Sequence, residues 1–199
     1  MGSQLTSAYE IRALDGSTWD AFARLAEKHN GVFGGCWCTW FHGSREEAGL
    51  GHLEPGRPHK EYRVRNGMAH AALVFDGDDA IAWAEFGPPC ELPNLHHRKQ
   101  YLATAGELPD FRITCIFVDR DYRRTGVGAV ALGGAIALIA AAGGGVVEGY
   151  PHDVPEGKKV NASFLYNTTR TTYEKAGFTY DRPKGQGNCV MVKVVDPAP

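Results

Sequence analysis

Hydrophobic residues fall along the chain in two rhythms. An alternation of period two at Tyr9–Leu14, Ala71–Phe75, Ala80–Phe86, Val146–Tyr150 and Val190–Val195 predicts strands. The second and third flank Asp76-Gly77-Asp78-Asp79 and read as a hairpin. Trp19, Phe22, Leu25 and Ala26 share one side of a helix that Ser17 or Thr18 would cap. Ile113 to Val118 is apolar on both faces, as in a strand covered on both sides, with Ile113, Cys115 and Phe117 on one and Ile116 and Val118 on the other. Thr125 to Val147 carries no charge and is long enough to span a bilayer. Alanine and glycine dominate it, however, and Gly143-Gly144-Gly145 ends it. Leu132, Ile136 and Ile139 recur at helical spacing, so a small-residue helix packed closely on a sheet is expected. The strand after this helix would run parallel to the strand before it.

Between these elements, Gly31 to Gly43 reads as a loop of glycines, cysteines and aromatics. Arg45 to Arg65 is polar and helical in pieces, interrupted at Pro55 and Pro58. Short helices are expected over His96 to Leu102 and over residues 167–176. The 199 residues suit one domain with a core of its own. A net charge of −2 gives no footprint for nucleic acid. Five scattered cysteines point to reduced thiols in a cytoplasm. No secretory leader is recognised. Met1-Gly2-Ser3-Gln4-Leu5-Thr6 meets a loose myristoylation pattern that is common by chance, and no membrane association is expected.

The chemistry begins after Asp119, where the strand pattern stops. Arg123 and Arg124 precede Gly126 and Gly128, which leave the backbone bare. The helix that follows would aim its unpaired N–H groups and positive dipole end over the turn. With two guanidiniums beside it, this is a site for a pyrophosphate. A P-loop would need a lysine that is absent. The dinucleotide fingerprint tolerates Ala131 in its third place, but the arginines are foreign to it. The segment resembles the acyl-CoA signature of the GNAT superfamily of N-acyltransferases, Arg/Gln-x-x-Gly-x-Gly/Ala, met by Arg123, Gly126 and Gly128. Ile116, Val118 and Arg123 meet its wider form, which departs at Arg120, where proline is usual. About 50 residues on, Tyr173-Glu174-Lys175-Ala176-Gly177-Phe178 resembles the closing helix and turn, with Gly177 as a left-handed cap. Cys36-Trp37-Cys38 and Glu148-Gly149-Tyr150-Pro151 resemble a bacterial subgroup. The resemblance spans about Tyr9 to Val195.

What the resemblance implies is a GNAT fold: an α/β (α+β) domain with a mixed, mostly antiparallel sheet, splayed middle strands and about four flanking helices. Its activity would be acetyl transfer from acetyl-CoA to a small-molecule amine, by a monomer or homodimer acting on neither nucleic acid nor membrane. Acetyl-CoA would lie on Ile116, Phe117, Val118, Arg123, Arg124, Thr125, Gly126, Val127, Gly128 and Ala129, with Asn167 on the pantetheine arm. An alkylammonium titrates near about pH 10, so a base has to take its proton. Glu85 and Glu148 are the candidates, and Glu85, on an apolar strand with Ile81 and Trp83, would have a raised pKa. Tyr173 would protonate the departing thiolate, with Tyr166 as its substitute. The Val118 N–H could polarise the thioester carbonyl. Cys36, Trp37 and Trp40 are expected on the acceptor side. His96, His97 and His152 read as solvated. Two other readings are an acyl-CoA-binding module without turnover and a metal-binding thiol protein on Cys36, Cys38 and His42. That last set lacks a fourth ligand, and no metal is expected.

Overall fold

The computed structural model describes residues 9–46, 49–153 and 166–199, so the lipidation pattern at the first six residues lies outside them. The chain runs β1 (Glu10–Ala13), α1 (Trp19–Lys28), α2 (Arg57–Arg65), β2 (His70–Asp76), β3 (Asp79–Gly87), α3 (Arg98–Thr104) and β4 (Phe111–Val118), then α4 (Val127–Ala141), β5 (Gly145–Gly149), α5 (Arg170–Lys175), β6 (Thr179–Pro183) and β7 (Cys189–Val195). The seven strands form one sheet in the order β1-β2-β3-β4-β5-β7-β6, with β4–β5 as its parallel pair. α4 packs on one face, burying Val127, Ala131, Leu132, Ala135 and Ile139 against β2 to β4. Gly134 makes this approach possible, since a Cβ there would meet Ile11 at 2.9 Å and the Ala72 Cβ at 3.2 Å. On the other face α1 buries Trp19, Phe22 and Leu25 against Leu73, Trp83 and Phe117. No helix among the described residues is long and apolar enough to cross a membrane.

Several local expectations change in three dimensions. Thr18 precedes α1 without capping it; its hydroxyl donates to the Ala13 carbonyl at 2.7 Å and accepts from the Asp15 N–H at 2.9 Å. Pro58 lies in the first turn of α2 and opens the helix instead of interrupting it, because its missing N–H has no partner there in any case. β6 was not expected: Thr-Tyr-Asp-Arg-Pro has no apolar period, and its pairing with β7 makes it a strand. A bulge between Glu85 and Phe86 sets Cys115 opposite Glu85 but Ile113 opposite Phe86. Ile113 therefore joins Ile116 on the α4 face while Cys115 and Phe117 face α1. The flanking α-helices number five among the described residues.

The feature that positions the site is the short contact of β4 with β5. The two strands pair at Phe111↔Val147, Arg112↔Glu148 and Ile113↔Gly149 and then part. Pro151, two residues beyond Gly149, cannot donate to a ladder. Past Ile113 the open edge of β4 meets Tyr166 instead, whose carbonyl accepts from the Ile116 N–H at 2.6 Å.

Candidate active site

The parting of β4 and β5 opens a cleft of about 790 Å³, lined by Ile116, Phe117 and Val118 on one side and Tyr166, Thr168, Thr169 and Thr172 on the other. Arg120, Arg123 and Arg124 stand at its α4 end, and His29, Val32 and Phe33 close it from the α1 side. Along β4, the Asp119 N–H bonds to Ile81 of β3 while the Ile116 N–H points the opposite way. The two-residue alternation of a strand places the Val118 N–H on the open edge with that of Ile116. Arg123 donates from Nε to the Val118 carbonyl at 3.2 Å, which folds the turn back over the strand end. Arg124 and Gly126 are both left-handed, at φ +67° and +91°, and Gly126 is the N-terminal cap of α4. Thr125 donates to the Tyr122 carbonyl at 2.6 Å, which braces the same turn.

At the start of α4, Val127 and Gly128 have no carbonyl one turn back to bond. A Cβ on Gly128 would stand 3.6 Å from Val118 and 3.7 Å from Thr168, both cleft residues, so the bare backbone forms part of the floor. Ala129 and Val130 already donate to the Gly126 carbonyl. Lys28 neutralises Asp119 and Asp121 at 2.7 Å each. No carboxylate among the described residues forms an ion pair with Arg123 or Arg124, and both line the cleft. Burial pushes His29 below its ordinary 6.5, although Asp119 at 3.3 Å pulls the other way.

Both candidate glutamates are buried away from the lining. Glu85 is fully buried, with the Lys60 ammonium at 2.7 Å, His42 Nε2 at 3.2 Å and the Thr114 hydroxyl at 2.8 Å. The expected rise in its pKa is corrected: burial alone raises it, but Lys60 and then His42 outweigh burial and bring it to about 2. Glu148 accepts from the Tyr101 and Tyr150 hydroxyls at 2.7 and 2.8 Å, and Arg182 stands 3.4 Å away. Tyr173 is fully buried against Phe178 and donates to Asn167 Oδ1 at 3.3 Å; an added Cβ on Gly149 would land in its ring. Asn167 in turn donates to the Tyr150 carbonyl at 3.4 Å and is itself buried. Tyr166, by contrast, stands in the cleft wall, and burial raises its phenol well above the ordinary value.

No protein-family profile matches the sequence, and no curated protein is significantly similar to it. Solved structures are similar. The aminoglycoside 6'-N-acetyltransferase from Enterococcus faecium aligns at 16% identity and a TM-score of 0.51, covering 96% of this chain and 99% of that one. A putative acetyltransferase of the GNAT family from Desulfovibrio desulfuricans aligns at 16% identity and a TM-score of 0.50, covering 94% and 99%. An N-acetyltransferase from Staphylococcus aureus gives 10% identity and 0.50, covering 95% and 99%. The chain has the GNAT fold.

Within that GNAT fold the structure gathers Ile116, Phe117, Val118, Arg123 and Arg124 on one cleft, with Thr125 to Ala129 forming the turn and first helical turn beneath it. Cys36, Trp37 and Trp40 are not brought together. Trp37 is in the core, stacked on Trp19 at 6.2 Å between centroids. Cys36 is partly buried, and Trp40 is exposed and stacked on His96 at 4.1 Å. From Trp40 and His96 a run of rings continues through Tyr166 to Phe33, which is 47% exposed and lines the cleft. His42 is buried on Lys60 and Glu85, and no group of three metal-ligating side chains occurs among the described residues. Sequence reasoning missed Arg120, His29, Phe33 and the threonines. The Thr168-Thr169-Arg170-Thr171-Thr172 run was the signal available for the last of these.

Proposed function

We propose that the protein transfers an acetyl group from acetyl-CoA directly to the amine of a small molecule. The observation that carries this reading is the cleft itself, in which a splayed strand edge meets an arginine-rich turn at the N-terminus of α4. Arg120, Arg123 and Arg124 would hold the phosphates together with the free N–H groups of Val127 and Gly128. Val118, with its N–H on the open strand edge, would bond the pantetheine arm or polarise the thioester carbonyl. A volume of about 790 Å³ lies within the range of roughly 300–1,000 Å³ typical of small-molecule sites.

Tyr166 fits the acid role better than Tyr173, because it stands in the cleft wall whereas Tyr173 is fully buried. Glu148 is proposed as the base, acting from the end of β5 through the hydroxyls of Tyr150 and Tyr101 or through water. The engagement of Glu85 and Glu148 in buried contacts favours one second reading, an acyl-CoA-binding module without turnover. Release of free CoA thiol from acetyl-CoA across a panel of amines separates the two. Turnover with one or more amines supports the transferase, and no release with any acceptor supports the module.

A further inference from the structure

The two sulfurs of Cys38 and Cys115 lie 3.1 Å apart, beneath the cleft and outside the chemistry proposed above. Cys38 belongs to the loop after α1, and Cys115 to β4, one residue before Ile116 of the cleft wall. Both are buried, at 2% and 1% exposure, and neither is tied into a disulfide. Two thiols in contact across 77 positions of sequence are a pair placed by the fold. A disulfide needs its sulfurs at about 2.05 Å, so closure asks for a movement of about 1 Å.

The loop carrying Cys38 is set to supply such a movement. Asn30, Val32, Phe33, Trp37 and Cys38 all adopt left-handed backbone, at φ between +43° and +58°. That conformation is unfavourable for a side chain, most of all for β-branched Val32, and persists because packing imposes it. A segment storing strain of this kind is a candidate for local opening, which would admit a small oxidant to a buried thiol.

We propose that Cys38 and Cys115 form a reversible disulfide under mild oxidation by a small hydroperoxide, fastening the loop after α1 to β4. The Cys38 sulfur is the attacking atom, because it lies within hydrogen-bond distance of the Trp83 indole N–H at 3.3 Å and of the Cys115 thiol. The hydrogen bond with Cys38, and then burial, raise Cys115 well above the ordinary thiol range. The Cys38 thiolate attacks the peroxide oxygen, giving a sulfenic acid and, after proton uptake, an alcohol. The Cys115 sulfur then displaces hydroxide from Cys38 as its own proton leaves with it as water. Two thiols lose two electrons and the hydroperoxide gains them. The bond would tie Val32 and Phe33, on one side of the cleft, to the strand that carries Phe117 and Val118 on the other.

The test is intact mass and peptide mapping on the folded full-length chain, first fully reduced and then treated with tert-butyl hydroperoxide. The expected result is a loss of about 2 Da, a cross-linked peptide joining Cys38 to Cys115, and return to five alkylatable thiols with dithiothreitol. Cys115→Ala and Cys38→Ala should each abolish the loss, while Cys90→Ala, at an exposed cysteine, should leave it intact. Because a core variant can misfold, the wild-type peptide map decides. No 38–115 cross-link in folded wild-type protein, or a link from Cys36 instead, overturns the proposal.

Discussion

Glu85→Gln separates a structural carboxylate from a catalytic one. In the folded protein Glu85 accepts from Lys60 at 2.7 Å and Thr114 at 2.8 Å, with His42 Nε2 at 3.2 Å, and none of these side chains reaches solvent. Its pKa falls from an ordinary 4.5 to about 2. That difference is worth about 3 kcal/mol of folding stability, present above pH 4.5 and lost as the pH falls toward 2. Breaking a buried pair by removing one partner typically costs about 3–5 kcal/mol, because the other charge is stranded. The two figures agree, and Lys60 would keep a neutral amide oxygen, the Cys38 carbonyl at 3.3 Å and His42 at 3.2 Å but no counter-charge in contact. Urea unfolding at pH 7 should therefore show Glu85→Gln less stable by about 3 kcal/mol, the gap from wild type narrowing below pH 4.5. Lys60→Met with Glu85→Gln should cost less than the sum of the two single changes. A Glu85→Gln protein of unchanged stability, whose turnover is lost at pH 7 and recovers at pH 9, would refute this and make Glu85 the base.

Three further outcomes are expected. Glu148→Gln should slow turnover about 100- to 10,000-fold near neutrality and recover toward pH 9, where more of the acceptor amine is free, as a pH–rate profile will show. Tyr166→Phe should slow it by a similar factor at every pH with acetyl-CoA affinity retained, whereas Tyr173→Phe should keep turnover and lose about 1 kcal/mol of stability with its bond to Asn167. Gly149→Ala should destabilise by about 1–3 kcal/mol in thermal unfolding, because its methyl would occupy the space of the Tyr173 ring.

The parts of the fold legible in sequence were those fixed by short-range pattern. The hairpin of β2 and β3, the apolar stripe of α1, the uncharged α4 and the left-handed cap at Gly177 each depend on residues a few positions apart. The strand-turn-helix at Val118 to Ala129 was legible for the same reason, whereas the parting of β4 and β5 past Ile113 was expected only from the family resemblance. What escaped depends on distant partners. β6 is a strand because β7 pairs with it, and Ile113 changes face because a bulge lies opposite. Glu85 looked like a lone acid in an apolar strand because Lys60 stands 25 positions away on a helix that reads as polar surface. Arg120 and Phe33 reach the cleft from segments whose direction no periodicity encodes.

Calorimetric titration of acetyl-CoA into the wild-type protein and two variants at Gly126 tests the central claim most directly. Gly126 caps α4 at φ +91° with no atom within 4 Å of an added Cβ, so substitution there carries backbone strain without a clash. Gly126→Ala has that strain alone, about 1–2 kcal/mol, and Gly126→Glu adds a carboxylate where the phosphates would sit. The account predicts saturable binding to wild type, weaker binding to Gly126→Ala and none to a folded Gly126→Glu. No heat of binding to wild type, or equal affinity in Gly126→Glu, would contradict it.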